Sequence, residues 1–141
     1  IPDPSVRAAI DVVRSAISVT MNRFGMATTK ASFSDGSELS LAVRSYLAEN
    51  FTLWRDRVGA LPGITVMDMP STYLTWVDFS GSGMDAAEVR MRLGRDARIA
   101  TNPGTQFGTG GEMYNRFNIA MPRPLMINAI ERMEAAFADL Q

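Results

Sequence analysis

The chain has 141 residues, of which 46% are apolar and 21% charged, and its net charge of −1 leaves no basic footprint for nucleic acid. It contains no cysteine and no histidine, which removes disulfides, thiol nucleophiles, the usual zinc ligands and every Ser-His or Cys-His catalytic pairing. No apolar run approaches the ~18 residues of a membrane span, and the start lacks the basic, apolar, small-residue order of a secretory leader.

Ile1-Pro2-Asp3-Pro4 opens without an initiator methionine, as though an upstream stretch belongs before it. Behind it, Val6, Ala9, Ile10, Val13 and Ile17 recur at helical spacing and predict a helix over Ser5 to Ser18. Small residues dominate Thr20 to Ser32, where a second short helix is expected after Gly25. Asp35-Gly36-Ser37 reads as a turn with Ser37 as a helix cap. Leu39, Val43, Tyr46, Leu47, Asn50, Trp54 and Val58 then mark a long amphipathic helix from Glu38 to about Gly59, roughly 30 Å at 1.5 Å per residue.

Leu61-Pro62-Gly63 stops that helix, and Ile64 to Met67 and Thr72 to Phe79 read as two strands, the second alternating aromatic and polar residues. By parity Tyr73 and Trp76 lie on opposite faces, one for the core and one for a ligand or interface. Asp85 is placed to cap a helix from Ala86 to about Asp96, and Arg98 to Thr101 reads as a third strand. A glycine-rich turn, Gly104 to Gly111, leads into a fourth, Tyr114 to Ala120. From Pro124 a last helix sets Met126, Ile130, Met133 and Phe137 on one stripe. The order is helices followed by β-β-α-β-β-α, an α+β class with helices on one face of a small sheet.

Arg116 shares its strand face with Tyr114 and Asn118. Beside a glycine-rich loop it is suited to receive a carboxylate through two parallel charge-assisted hydrogen bonds, or else it is a strand-edge arginine, solvated or paired with Glu112. The loop does not match a phosphate cradle, because no Gly-Lys-Ser/Thr follows and a strand comes next. It could gate a pocket. Asp78 has the choice between general base and turn former, and Lys30, the only lysine, would serve as a Schiff-base lysine only if desolvated or placed beside another cation. The ten methionines read most simply as core filler.

Three motifs at consistent spacing carry a resemblance. Pro70-Ser71-Thr72-Tyr73-Leu74-Thr75-Trp76-Val77-Asp78, Asn102-Pro103-Gly104-x-x-Phe107-Gly108, and Gly110-Gly111-Glu112-x-x-x-Arg116-Phe117-Asn118-Ile119-Ala120-x-Pro122-Arg123 resemble the carboxy-terminal part of fold-type-I pyridoxal-phosphate enzymes. The branch is the MalY/PatB-like cystathionine β-lyases, within the class I/II aminotransferase superfamily. Asn22 to Thr28 is similar to the family's segment after the cofactor lysine. Ser71 departs from the family's usual glycine before Thr-Tyr.

The resemblance implies a division into 1–36 (tail of the large cofactor-binding domain), 37–60 (inter-domain helix) and 61–141 (small carboxy-terminal domain). It implies Arg116 as the residue that grips the substrate α-carboxylate and a glycine loop that moves on closure. It further implies that Asn22 to Thr28 lies near the interface of a cytoplasmic homodimer acting on a small amino-acid substrate. The cofactor it implies for the full-length enzyme is pyridoxal 5'-phosphate. Its lysine, the aspartate at the ring nitrogen and the stacking aromatic have no counterpart here, so no catalytic, cofactor-binding or metal-binding residue is expected in this chain, and it is expected to be inactive alone. A C–S lyase giving thiol, pyruvate and ammonia is the expected parent activity. An aminotransferase and a non-enzymatic carboxylate-binding module are the alternatives.

Overall fold

The computed structural model describes residues 2–18, 21–34 and 38–140. The chain forms two compact units, Ile1–Leu41 and Ala42–Gln141. In the first, α1 (Pro4–Ala16) begins where Asp3 Oδ1 accepts from the Ser5 and Val6 amides, at 2.8 and 3.5 Å. The Ser5 hydroxyl, which donates to the same oxygen at 2.7 Å, and then these amides hold the Asp3 carboxyl below its ordinary value. The expected stripe is present and exposed, from Val6 through Ile10 and Val13 to Ile17. Helix α2 (Arg23–Ser34) starts earlier than expected, because Asn22 Oδ1 takes the Gly25 amide at 2.6 Å and lets the first turn form ahead of Gly25. None of the described residues of α1 or α2 is buried. The expected turn at Asp35 to Ser37 lies outside the described residues.

Helix α3 (Glu38–Val58) matches the expected long helix, and its buried residues Asn50, Trp54 and Val58 all belong to the second unit. There, β1 (Thr65–Val66), β2 (Leu74–Asp78), β3 (Asn102–Pro103) and β4 (Tyr114–Asn118) form an antiparallel sheet in the order β1-β2-β4-β3. Between β2 and β3, α4 (Ala86–Met91) is capped by Asp85, which accepts from the Ala87 and Glu88 amides at 2.9 and 2.8 Å. The helical stretch runs on to Asp96 as expected, its last part widening into a π turn over Arg92–Asp96 closed by the Ala97 amide on the Arg92 carbonyl. Helix α5 (Arg123–Ala136) closes the fold with Met126, Ile130 and Met133 buried along it and Phe137 at its end.

Strand parity decides the layers. Thr75 and Val77 of β2 and Asn115 and Phe117 of β4 are buried, while Trp76, Asp78, Tyr114 and Arg116 between them are half-buried on the opposite face. The buried face packs on α3, where the Trp54 and Phe117 rings are 5.0 Å apart, and the Phe79–Phe137 contact at 5.6 Å ties the end of β2 to the end of α5.

Two expectations are corrected here. The third strand is not Arg98 to Thr101: Arg98 has φ 53, a left-handed conformation that interrupts extension, and pairing starts only at Asn102. Neither Tyr73 nor Trp76 is in the core. Thr72, at φ 70, breaks the alternation before β2 and leaves Tyr73 exposed, while Trp76 takes the open face. The methionines also divide: Met126 and Met133 are core, whereas Met21, Met26, Met67 and Met91 are exposed.

Candidate functional site

The open face of the sheet carries the polar and aromatic chemistry. In register, Arg116 stands opposite Trp76 on β2 and opposite Asn102 on β3, and Tyr114 stands opposite Asp78. The single turn Gly104–Phe107 then swings Phe107 over this face. Its ring centre lies 4.5 Å from the Arg116 guanidinium carbon and 5.1 Å from the Trp76 ring, edge-on to the indole. The guanidinium is therefore held against an aromatic surface rather than swinging free.

Arg116 donates from one terminal nitrogen to Asn102 Oδ1 at 3.2 Å. Its Nε is buried with no acceptor. Among the described residues no carboxylate forms an ion pair with it, and Glu112, the alternative partner, instead accepts from the Gly110 amide at 3.4 Å. A half-buried cation with an unsatisfied donor and no acidic partner has the requirements of an anion receptor.

The glycine-rich loop walls a hollow of about 300 Å³, which Trp76 and Phe107 also line. Gly104 and Gly111 approach backbone to backbone, so a Cβ on either would be driven into the other's carbonyl oxygen. Gly108 and Gly110 take φ 135 and 88, conformations that glycine adopts without strain. The side chains facing the hollow are Met67, Trp76, Phe107, Thr109 and Tyr114.

Asp78 proves to be the turn former. Its Oδ1 accepts from the Ser80 amide at 2.9 Å. Burial raises its carboxyl, but hydrogen bonds from Ser80 and Tyr114 outweigh this and hold it below the ordinary value. The same bond to Asp78 pushes the Tyr114 phenol up and keeps it protonated. Lys30 lies exposed on α2, without the burial a Schiff-base lysine requires.

Two parts of the arrangement escaped the sequence reading. One is Phe107 as the cover on Arg116. The other is a clasp at the exit of β4: buried Asn50 donates to the Ile119 and Met121 carbonyls, both at 3.1 Å, and accepts from Arg123 Nε at 3.1 Å. Arg123 also pairs with Glu49 at 2.9 Å and lies over the Tyr46 ring. The one hint was a polar Asn50 inside an apolar helical stripe.

No family model matches the chain. It is 31% identical over 150 residues to a putative cystathionine beta-lyase of Mycobacterium leprae, covering 95% of this chain and 37% of that protein. It is 27% identical over 119 residues to the cystathionine beta-lyase PatB of Bacillus subtilis, covering 84% and 31%. Among solved structures, a PLP-bound putative aminotransferase from Clostridium difficile superposes with a TM-score of 0.77 at 30% identity, over 97% of this chain and 36% of that one. The chain thus spans about a third of the length of the curated relatives it matches. Its helices and four-stranded antiparallel sheet match the carboxy-terminal domain of fold-type-I pyridoxal-phosphate enzymes, as the resemblance implied.

Proposed function

We propose that this chain is the carboxy-terminal part of a pyridoxal-phosphate-dependent C–S lyase, which converts an L-cysteine conjugate of the cystathionine kind, with water, into a thiol, pyruvate and ammonia. Within it Arg116 holds the substrate α-carboxylate. The observation that carries this reading is the Arg116 guanidinium, braced by Phe107 and Asn102, with one buried donor unsatisfied and no acid paired among the described residues. The likeness to PatB and to a PLP-bound structure supports the chemical setting.

The described residues do not themselves fit the cofactor. The only lysine is exposed on α2, and the glycine loop runs through a short turn into a strand instead of opening a helix. This chain's share is therefore binding and orientation. A carboxylate fixed by two charged hydrogen bonds sets the substrate's position for chemistry performed elsewhere in the parent protein. On this reading α3 links the large domain to the small one, the parent is a homodimer, and the chain alone turns over nothing.

The test is made on the full-length protein. A visible absorption band bleached by borohydride, with thiol and pyruvate released from L-cystathionine, supports the lyase. Keto acid formed from the substrate without thiol release would make it an aminotransferase. No band and no turnover would leave a carboxylate-binding module.

A further inference from the structure

One face of α3 follows β4 and its exit from end to end. Trp54 packs on Phe117 with the ring centres 5.0 Å apart, Asn50 holds the Ile119 and Met121 carbonyls, and Tyr46 meets Arg123. Tyr46, Asn50 and Trp54 recur at i, i+4 and i+8 on one side of the helix, and their partners follow in the reverse order. Arg116 is the residue immediately before Phe117, turned to the open face. The row ends on Arg123, which engages α3 with backbone and side chain alike. Its amide donates to the Tyr46 hydroxyl oxygen at 2.6 Å, its Nε to Asn50 Oδ1 at 3.1 Å, and one terminal nitrogen pairs with Glu49 at 2.9 Å. We propose that Arg123 is a positioning residue for the carboxylate receptor: by orienting Asn50 it ties the exit of β4 to α3 and so fixes how Arg116 stands on the open face. This rests on the reading of Arg116 above.

Asn50 is where the tie is made. Its amide group can present either end to the strand exit, but only the nitrogen end can donate to the two carbonyls. An arginine Nε has a proton to give and no lone pair to receive one, so its bond to Asn50 Oδ1 selects that orientation. Without it the amide is free to turn, and a turned amide sets oxygen against oxygen at both carbonyls. Glu49 and the Tyr46 ring, whose centre is 4.9 Å from the guanidinium carbon, hold Arg123 itself in place.

Pairing with β2 and β3 fixes the register of β4 in the plane of the sheet, and the Ile119 amide on the Tyr73 carbonyl extends that register past the end of the strand. Tilt out of the plane is set instead by what packs on the buried face, which is α3. On the open face the guanidinium meets Asn102 and Phe107. A tilt of β4 therefore moves Arg116 against both braces and against any carboxylate it holds. A misplacement of about 1 Å can cost about a hundredfold in rate.

The experiment measures kcat/KM on L-cystathionine with the full-length protein, retention of the visible absorption band serving as the folding control. Arg123→Met removes every side-chain bond and is expected to lower kcat/KM by about tenfold. Arg123→Gln places an amide nitrogen where Nε stood and is expected to recover most of that loss, although the charge is gone. Arg123→Lys keeps the charge for Glu49 without a donor at that atom and is expected to recover less. The opposite ranking would make Arg123 an ion-pair residue of the fold and overturn the proposal. In an Arg116→Gln background there is no receptor left to position, so Arg123→Met should cost less than about twofold more. A loss of the same size in both backgrounds, or none in the unaltered protein, would also overturn it. If Arg123→Met loses the band, Arg123→Lys carries the same comparison. If Arg116→Gln alone changes nothing, the carboxylate reading itself fails and takes this role with it, an outcome distinct from additive losses.

Discussion

Arg116 and Trp76 are directly opposed across β4 and β2, and Phe107 bridges them, 4.5 Å from the guanidinium carbon and 5.1 Å from the indole ring. A cation held against one aromatic ring on an open sheet face is weakly hydrated yet still charged. That combination favours a carboxylate arriving from solvent over a fixed internal partner.

Phe107→Leu removes the ring from the guanidinium while keeping an apolar side chain. Cation–π contacts contribute about 0.5–2 kcal/mol, so carboxylate affinity in the full-length protein should fall by roughly 3- to 30-fold. Phe107 is 49% exposed, so the unfolding midpoint should scarcely move. Calorimetry and denaturant titration of the same variant separate the two effects. A large loss of stability would make Phe107 a structural residue instead.

Asn50→Leu should be costly. It leaves the Met121 carbonyl without its side-chain donor and Arg123 Nε without its acceptor, while the Ile119 carbonyl keeps only the Met121 amide. Each buried unsatisfied group costs about 1–3 kcal/mol, so a loss on the order of 3 kcal/mol is expected in urea unfolding. A loss below about 0.5 kcal/mol would show that the clasp contributes little.

Gly104→Ala and Gly94→Ala should move stability in opposite directions. A Cβ at Gly104 collides with the Gly111 backbone, whereas a Cβ at exposed Gly94 meets open space. The second substitution should be neutral or add about 0.4–1 kcal/mol by restricting the unfolded chain. Thermal melts of the pair check this, and equal behaviour would contradict the close approach.

The Asp78–Tyr114 pair sets a pH window. The carboxyl is held below its unfolded value, so its contribution is present above about pH 4 and is lost as pH falls through the lower folded value. The phenol is held above its unfolded value, so its contribution is present below about pH 10 and is lost as pH rises through the higher folded value. Tyr114→Phe should flatten the alkaline limb of a stability–pH curve and part of the acid limb. An unchanged curve would argue against the bond.

Much of this arrangement was legible in the residues. The stripe Met126, Ile130, Met133 and Phe137 has one helical solution, Asp85 caps where its position implies, and strand alternation puts Arg116 with Tyr114 on one face. What stayed hidden depends on distant partners. Parity separates Tyr73 from Trp76 but cannot say which face meets α3, and Thr72 at φ 70 then removes Tyr73 from the alternation. The edge strand starts at Asn102 because Arg98 takes a left-handed backbone that no local preference of arginine announces. Asn50 meets carbonyls 69 and 71 residues further along, beyond the reach of any local pattern.

The most direct test of the central claim compares Arg116→Gln and Arg116→Lys with the unaltered full-length protein in steady-state kinetics on L-cystathionine. Loss of a bidentate charged pair should lower kcat/KM by about two orders of magnitude or more for the Gln variant. Lysine keeps the charge but not the fork, and should recover only part of that loss. If Arg116→Gln leaves kcat/KM within about twofold of the unaltered protein, Arg116 does not hold the substrate carboxylate and the account of this face is wrong.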